Sequence, residues 1–284
     1  MKTRFALLLS LVLLLSLFAA PTASAASQTI SLSMPTTTTT GFTLSLKWTA
    51  VTGVSYYDVR YEKDPNVSAS TSTQYTTTSA TSLSSTMNTT IGYRFFRIYA
   101  YNASGTLLAY SNVVGIAKYP SGVVVRMKQD ATLTNSYPDP ASSPNATYYK
   151  RPVWFITVDS TVRAAKAAAN FTIGEFISET GLTSAIVDPL MVQHSQNARN
   201  RYGVLVVNSG YRSPAHNRAI GGATYSRHMW GDAVDMDANT SAQYSAINSA
   251  FAAESPSYVE SFAEGGYNHW HGDWRYEAKG YQNW

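Results

Sequence analysis

The stretch Ser226–Asp235 reads Ser-Arg-His-Met-Trp-Gly-Asp-Ala-Val-Asp, and together with His269-Trp270-His271 it carries the residue types of a metal site. His228 and Asp235 are seven residues apart, so on one straight strand their side chains would point to opposite faces. Gly231 must therefore turn the chain. We predict that His228 lies in a loop or short turn before this glycine, and that a strand after it brings Asp235 back beside His228.

The histidines are concentrated in the C-terminal part of the chain, since all five lie between positions 194 and 271. His269 and His271 are two residues apart, so on a strand both side chains face the same way. Either both bind a metal, or one binds while the other acts beside it; an aromatic surface strand with incidental histidines is the alternative. Asp235 would complete a zinc site of two histidines and one carboxylate. His194 and His216 fall in helical stretches and are predicted to be structural or surface residues.

The composition is that of a globular protein with one large or two small domains. The chain has 284 residues, of which 44% are hydrophobic. It contains no cysteine, which excludes disulfides, thiolate metal ligands and a cysteine nucleophile. The net charge of +4 is weak and no dense Lys/Arg run accompanies it. This balance suits loose attraction to an anionic matrix and does not indicate nucleic-acid binding.

Residues 1–25 are predicted to form a signal peptide. Lys2 and Arg4 give a positive start, Phe5–Ala20 is apolar, and Ala23-Ser24-Ala25 is a small-residue cleavage pattern. The alternative is a membrane anchor, but the apolar stretch is short for a spanning helix. We therefore expect a secreted or cell wall-associated protein without stable membrane insertion after signal cleavage.

Residues 27–118 are Ser/Thr-rich and contain short apolar runs of period two, which indicates an all-β antiparallel sandwich. The runs Leu46–Trp48, Tyr57–Tyr61 and Phe96–Asn102 resemble those of a fibronectin type III domain. This segment has no histidine and only isolated carboxylates. We interpret it as a spacer or adhesive module and predict no site in it.

Residues 119–165 are rich in proline and are predicted to connect the two halves of the chain. Two apolar runs, Val123–Val125 and Val153–Val158, could each be a strand. An extended connector and a small hairpin packed on one neighbour are both compatible with this pattern.

Residues 166–284 have the pattern of an α/β unit. Thr172 and Glu175 form a capping box that predicts a helix start. A longer helix is expected from about Ser184 to Tyr202, where Gly203 ends it. Residues 204–207, Val-Leu-Val-Val, are then expected to form a short buried strand.

The pattern Ser226-x-His228-x-x-Gly231-x-Ala233-x-Asp235, preceded by Gly210–Pro214 and Gly221–Ala223 and followed by His269-x-His271, resembles the zinc D-alanyl-D-alanine carboxypeptidases. Their fold is shared by peptidoglycan endopeptidases and by the signalling domain of hedgehog proteins. The resemblance runs from about Asn170 to Arg275. It implies a C-terminal α+β zinc peptidase domain with a small antiparallel sheet, so the whole chain is expected to be multidomain.

Carried over position by position, the resemblance implies that His228, Asp235 and His271 bind Zn²⁺. Three protein ligands leave a fourth position for the water that attacks the substrate. Arg212 matches the arginine that polarises the substrate carbonyl or holds its carboxylate. His269 matches the histidine two positions before the last ligand.

The residue that accepts the water proton is the open point of the pattern. Many relatives have a glutamate three residues before the final ligand, where this chain has Asn268, which cannot usefully accept a proton near neutral pH. His269 is our first candidate, and Glu264 or Asp273 could contribute. Asp273 could instead orient a ligand imidazole.

Tyr211, Asn217 and Ser226 are predicted substrate contacts. The sequence thus predicts a secreted zinc metallopeptidase that hydrolyses an amide bond in peptidoglycan stem peptides or cross-bridges, either as a D-Ala-D-Ala carboxypeptidase or as an endopeptidase. The alternative is a non-catalytic zinc-containing module that binds cell-wall peptides or a protein partner.

Overall fold

The structure is a computed structural model and describes residues 28–34, 38–39, 43–87, 90–266 and 268–278. The predicted signal peptide, residues 1–25, lies outside the described residues. In the part of the chain that the structure describes, no helix has the length and apolar character needed to cross a bilayer.

The strands follow one another in this order: β1 Leu32–Ser33, β2 Thr38–Thr39, β3 Thr43–Trp48, β4 Tyr56–Glu62, β5 Thr73–Thr78, β6 Ser82–Thr86, β7 Gly92–Tyr101, β8 Leu107–Tyr110, β9 Val114–Lys118, β10 Val124–Gln129, β11 Trp154–Thr157, β12 Lys166–Ala168, β13 Phe171–Thr172, β14 Ser184–Ala185, β15 Val207–Ser209, β16 Ala233–Asp237, β17 Tyr258–Val259 and β18 His269–Asp273. The α-helices are α1 Ala131–Ser136, α2 Ser160–Ala164, α3 Pro189–Tyr202, α4 Pro214–Ala219, α5 Ser241–Ala252 and α6 Arg275–Ala278. Short 3₁₀ helices span Pro140–Ser142, Ile173–Phe176 and Arg227–Trp230.

The N-terminal region is β-rich, as predicted, and consists of antiparallel strands. A small sheet of order β1-β3-β6 packs against the larger sheet that contains β4, β7 and β9. In β3, Leu44, Leu46 and Trp48 are buried while the residues between them are not, which is the period-two pattern of a half-buried strand. Their side chains share a core with Val59 and Ile98 of the larger sheet.

The larger sheet continues from the N-terminal region into the C-terminal half. Its order is β5-β4-β7-β9-β10-β11-β14, and all of its pairings are antiparallel. β10 and β11 come from the predicted connector, whose two apolar runs both lie in strands. Phe95 meets Trp154 edge to face, with ring centroids 5.2 Å apart, and Tyr119 donates a hydrogen bond of 2.9 Å to the carbonyl of Val187. The predicted boundaries at 118 and 165 therefore fall between paired strands of one sheet, because residues 119–165 supply its strands β10 and β11.

The C-terminal unit has a four-stranded antiparallel sheet of order β15-β16-β18-β17 with helices packed against it. α3 and α5 contact each other, and Phe251 of α5 stacks on Trp270 of β18 with ring centroids 4.0 Å apart. This arrangement agrees with the expected α+β unit and its small antiparallel sheet.

Three local predictions in this unit need correction. The long helix begins at Pro189, not near residue 184, because Asp188 caps it and Ser184–Ala185 pair with β11 instead. Val204 and Val206 are exposed, at 72% and 56%, so the apolar run there is not a buried strand; pairing with β16 begins only at Val207. The capping box at Thr172 starts only the single 3₁₀ turn Ile173–Phe176.

Candidate metal centre and active-site groove

A tight turn at Gly231 brings the two halves of the motif together. The 3₁₀ helix Arg227–Trp230 ends at Gly231, whose φ of 71° lies in the left-handed region. A Cβ atom at this position would collide with the backbone carbonyl of Ile186, so glycine is required for space as well as for conformation. β16 begins two residues later and carries Asp235 back to His228, as the seven-residue spacing predicts.

A buried ion pair closes the same turn. The Nε atom of Arg227 donates to Asp232 with an N–O distance of 3.0 Å, and Nη2 contacts the second carboxylate oxygen. Both side chains are almost completely buried. A fork-like arginine–carboxylate pair of this kind fixes direction as well as distance, and so holds the chain on either side of Gly231.

Three side chains converge at the metal centre. Asp235 on β16 lies directly opposite His271 on β18, and its Oδ1 atom is 2.8 Å from His271 Nδ1. His228 Nε2 is 3.1 Å from the same oxygen and 3.2 Å from His271 Nδ1. The donor atoms of the three residues all lie within 4.8 Å of one another.

These distances fit a zinc ion. Zinc–ligand bonds of about 2.0–2.1 Å in tetrahedral geometry place ligand atoms about 3.3 Å apart. The three donor atoms are 2.8 to 3.2 Å apart. Two imidazole nitrogens and one carboxylate oxygen are also the donor types of catalytic zinc sites with three protein ligands.

The ligands are oriented by residues behind them. His228 Nδ1 lies 2.7 Å from the carbonyl of Gly210, so Nδ1 carries the proton and Nε2 is free for a metal. Arg212 Nη2 donates to Asp235 Oδ2 with a distance of 2.7 Å, and Arg212 Nε donates to Ser209 at 2.8 Å. Asp235 therefore has one oxygen held by Arg212 and the other directed to the histidines.

The charges of the ligands are coupled in the metal-free site. Burial lowers the pKa of His228 and outweighs the raising effect of Asp235. Burial opposes the charge of His271 as well, but its contacts with Asp235 and Asp273 raise the pKa of this imidazole to about 9. Despite its own burial, Asp235 has a pKa well below the usual range because His228 and His271 contact it. Metal binding must therefore displace a proton from His271.

His269 lies beside the centre on the same face of β18 as His271. Its Nε2 atom is 3.8 Å from Asp235 Oδ1 and 3.6 Å from Glu260 Oε2. Its Nδ1 atom is 2.6 Å from the side-chain oxygen of Asn268. Glu260 was not among the sequence candidates, since only the pairing of the short strand β17 with β18 brings it close.

The two other carboxylates considered as bases are engaged elsewhere. Glu264 is exposed, and its carboxylate accepts hydrogen bonds from the backbone N–H and the hydroxyl of Ser261 at 2.9 and 2.6 Å. Asp273 is buried and is bound by Arg275, whose Nε donates at 2.8 Å. Asp273 Oδ2 also lies 3.9 Å from His271 Nε2, which is beyond direct hydrogen-bond distance.

Two of the three predicted substrate contacts have structural roles instead. Tyr211 is completely buried, and its backbone N–H donates to the carbonyl of Phe176 at 2.7 Å. Asn217 is 1% exposed, and its amide nitrogen donates to the carbonyl of Ala223 at 2.9 Å. The prediction for both is corrected because neither side chain reaches the groove. Ser226 does line it.

The metal centre lies in a groove with a volume of about 1050 Å³. Its walls carry both charge signs and several aromatic rings, contributed by Arg212, Glu260, Glu264, Arg275, Tyr149, Tyr225 and Tyr258. His216, predicted to be structural or on the surface, also lines the groove. His194 lies away from it, between Glu254 at 2.8 Å and Glu277 at 2.7 Å.

Comparison with known proteins finds a family model that is similar to part of the C-terminal half of the chain. Residues 169–270 match the family model described as Peptidase M15. The resemblance to the zinc D-alanyl-D-alanine carboxypeptidases is thereby confirmed for this part of the chain. No curated protein sequence matches the chain.

Two solved structures are similar to parts of the chain. One is an Fn3-like protein from Clostridium thermocellum, with 22% sequence identity, a TM-score of 0.23, and coverage of 30% of this chain and 83% of that one. The other is the fibronectin type-III domain of human fibronectin type III domain containing protein 3, with 16% identity, a TM-score of 0.26, and coverage of 34% and 91%.

Proposed function

We propose that the protein is a secreted zinc metallopeptidase that hydrolyses an amide bond in peptidoglycan stem peptides or cross-bridges, as a D-Ala-D-Ala carboxypeptidase or as an endopeptidase. The observation that carries the proposal is the convergence of His228, Asp235 and His271 within 4.8 Å in a wide groove. The match of residues 169–270 to Peptidase M15 supports the reaction class. The predicted signal peptide and the mildly basic chain support action at the cell wall.

The three ligand residues would hold the metal with one position open. Zinc bound there supplies Lewis-acid chemistry and makes hydroxide available near neutral pH. His228 is ready to bind because the carbonyl of Gly210 holds its proton on Nδ1. Asp235 offers Oδ1 because Arg212 occupies Oδ2.

Arg212 has two roles in this proposal. Its Nε and Nη2 atoms position Asp235 through the bonds to Ser209 and to the carboxylate itself. The side chain also lines the groove and remains 17% exposed, so Nη1 is the atom we assign to the substrate carbonyl or carboxylate oxygen. A donor aimed at the oxygen on which charge develops stabilises the transition state.

His269 is the residue we assign to proton transfer. His269 lines the groove, and its Nε2 atom is 3.8 Å from the ligand oxygen of Asp235. From there it would take the proton of the attacking water and give it to the leaving amine. Ser226 lines the groove next to the motif and is retained as a proposed substrate contact.

The test is incubation of the zinc-loaded protein with cell-wall fragments, with and without a chelator, followed by mass measurement of the released pieces. Loss of a terminal D-alanine indicates a carboxypeptidase, and an internal cut indicates an endopeptidase. Protein that retains zinc but gives no chelator-sensitive product would refute the enzymatic proposal and favour the non-catalytic zinc module that binds wall peptides or a protein partner.

Zinc content separates the roles of the residues. We expect His228→Ala and His271→Ala to lose zinc, whereas His269→Ala keeps zinc and loses about 10²- to 10⁴-fold in turnover. Asp237→Ala is the matched control, because Asp237 lies on the same strand as Asp235 but is exposed. Loss of zinc from His269→Ala would show that this histidine is a ligand and not the base.

A further inference from the structure

Asn268 occupies the position at which a carboxylate base was expected, and it contacts the neighbouring histidine. Its side-chain oxygen lies 2.6 Å from Nδ1 of His269. An amide oxygen accepts hydrogen bonds and cannot donate them. The nitrogen opposite it must therefore carry the proton, and in a neutral imidazole this leaves Nε2 with a free lone pair.

The free nitrogen faces the reaction centre. Two carboxylate oxygens lie near His269 Nε2, Glu260 Oε2 at 3.6 Å and Asp235 Oδ1 at 3.8 Å, and both are beyond direct hydrogen-bond distance. Neither fixes the proton on Nε2 as a closer carboxylate would. The short contact of this ring is therefore the hydrogen bond between His269 Nδ1 and the side-chain oxygen of Asn268.

The loop beside the ring approaches this nitrogen with a glycine. Gly265 lies against the same edge, where a Cβ atom would be 3.3 Å from Nε2 and 3.4 Å from Cε1 of His269. A larger residue would crowd the edge of the imidazole that faces the groove.

We infer that Asn268 is a positioning residue that holds His269 in the tautomer whose Nε2 lone pair faces the metal centre. The inference rests on the proposed function of His269 and adds the means by which it is kept ready. The position that a carboxylate base occupies in relatives would thus serve a different purpose here: its side chain orients the base instead of acting as the base.

The tautomer can be measured without any reaction. Long-range ¹H–¹⁵N correlation spectra of the ¹⁵N-labelled, full-length protein distinguish protonated from unprotonated ring nitrogens, and His269→Gln identifies the signals. We expect the proton of His269 on Nδ1 in the zinc-loaded protein. Asn268→Ala should shift the proton toward Nε2, whereas Asn268→Asp, which still accepts from Nδ1, should retain the wild-type pattern. Asn239→Ala is the matched control, since Asn239 is exposed and is not among the residues that line the groove.

Activity gives the second readout. Asn268→Ala should lower kcat by about 10- to 100-fold with KM little changed, and Asn268→Asp should restore most of it. A proton on Nε2 in the wild-type protein, or a distribution that Asn268→Ala leaves unchanged, would overturn the inference. If the tautomer depends on Asn268 while wall fragments remain uncut, the inference stands and the proposed reaction fails.

Discussion

Asp188 gives the sharpest prediction because it is an acid buried at a helix start. Its Oδ1 atom accepts a hydrogen bond of 2.7 Å from the N–H of Leu190, and its own N–H donates to the carbonyl of Gly231 at 3.0 Å. The side chain is 2% exposed. Burial raises the pKa of Asp188 from 3.8 to about 7. The backbone hydrogen bonds lower this pKa, and the nearby charge of Asp232 raises it further.

The sign of the effect follows from proton binding. Between pH 3.8 and about 7 the folded protein keeps the Asp188 proton while the unfolded chain releases it. The folded state thus binds more protons, so this group makes stability fall as pH rises through that window. The rise of the Asp188 pKa from 3.8 to about 7, at ~1.4 kcal/mol for each tenfold change in proton affinity, lowers the free energy of unfolding by about 4 kcal/mol at pH 8 and by little at pH 4.

Asp188→Asn should therefore stabilise the protein at pH 8 and change little at pH 4, because asparagine caps a helix as well as aspartate does and carries no charge. The assay is urea unfolding of both proteins at the two pH values, with a chelator so that metal binding adds no pH dependence of its own. Asp159→Asn is the matched control, since Asp159 caps α2 in the same way but is exposed. A stability difference for Asp188→Asn that does not change with pH would refute the reasoning.

Two further predictions concern the turn and the shared sheet. Gly231→Ala should destabilise the protein by at least ~2 kcal/mol in thermal unfolding, because alanine adds left-handed strain and a clash with Ile186. Gly181→Ala is the control, since Gly181 also has a positive φ but has open space around it, and it should destabilise the protein less. Equal destabilisation by the two variants would contradict the clash. A fragment of residues 166–284 should give no cooperative unfolding transition, because it lacks β11, which pairs with β14, and β10, which pairs with β11. A sharp transition in this fragment would show that it folds alone.

The metal centre was predictable from sequence because its geometry is local. The spacing of His228 and Asp235 requires a turn, Gly231 is the residue that makes one, and His271 lies on a strand that pairs directly with Asp235. The chemistry of the ligands then limits the metals that fit. The turn depends on a few neighbouring residues, whereas His271, which is 36 residues beyond Asp235, was implied as a ligand by the family resemblance.

The remainder depends on contacts between distant parts of the chain. Glu260 reaches His269 only through the pairing of β17 with β18. Tyr211 follows a strand at a position typical of functional loops, yet its burial results from packing against Tyr137, more than seventy residues earlier. The sequence of the proline-rich segment 119–165 did not show that it supplies two strands of the larger sheet, because the neighbours of a strand are set by register and not by local composition.

The continuous sheet also limits how the groove could meet the cell-wall substrate that we propose. A flexible tether would let a catalytic unit sweep a volume around its attachment point. Here β9, β10 and β11 join the N-terminal sandwich to the groove-bearing half by backbone hydrogen bonds. The shared sheet restrains the two halves more than a flexible tether would, so on the proposed function an attached N-terminal region would limit how far the groove can reach from its point of attachment.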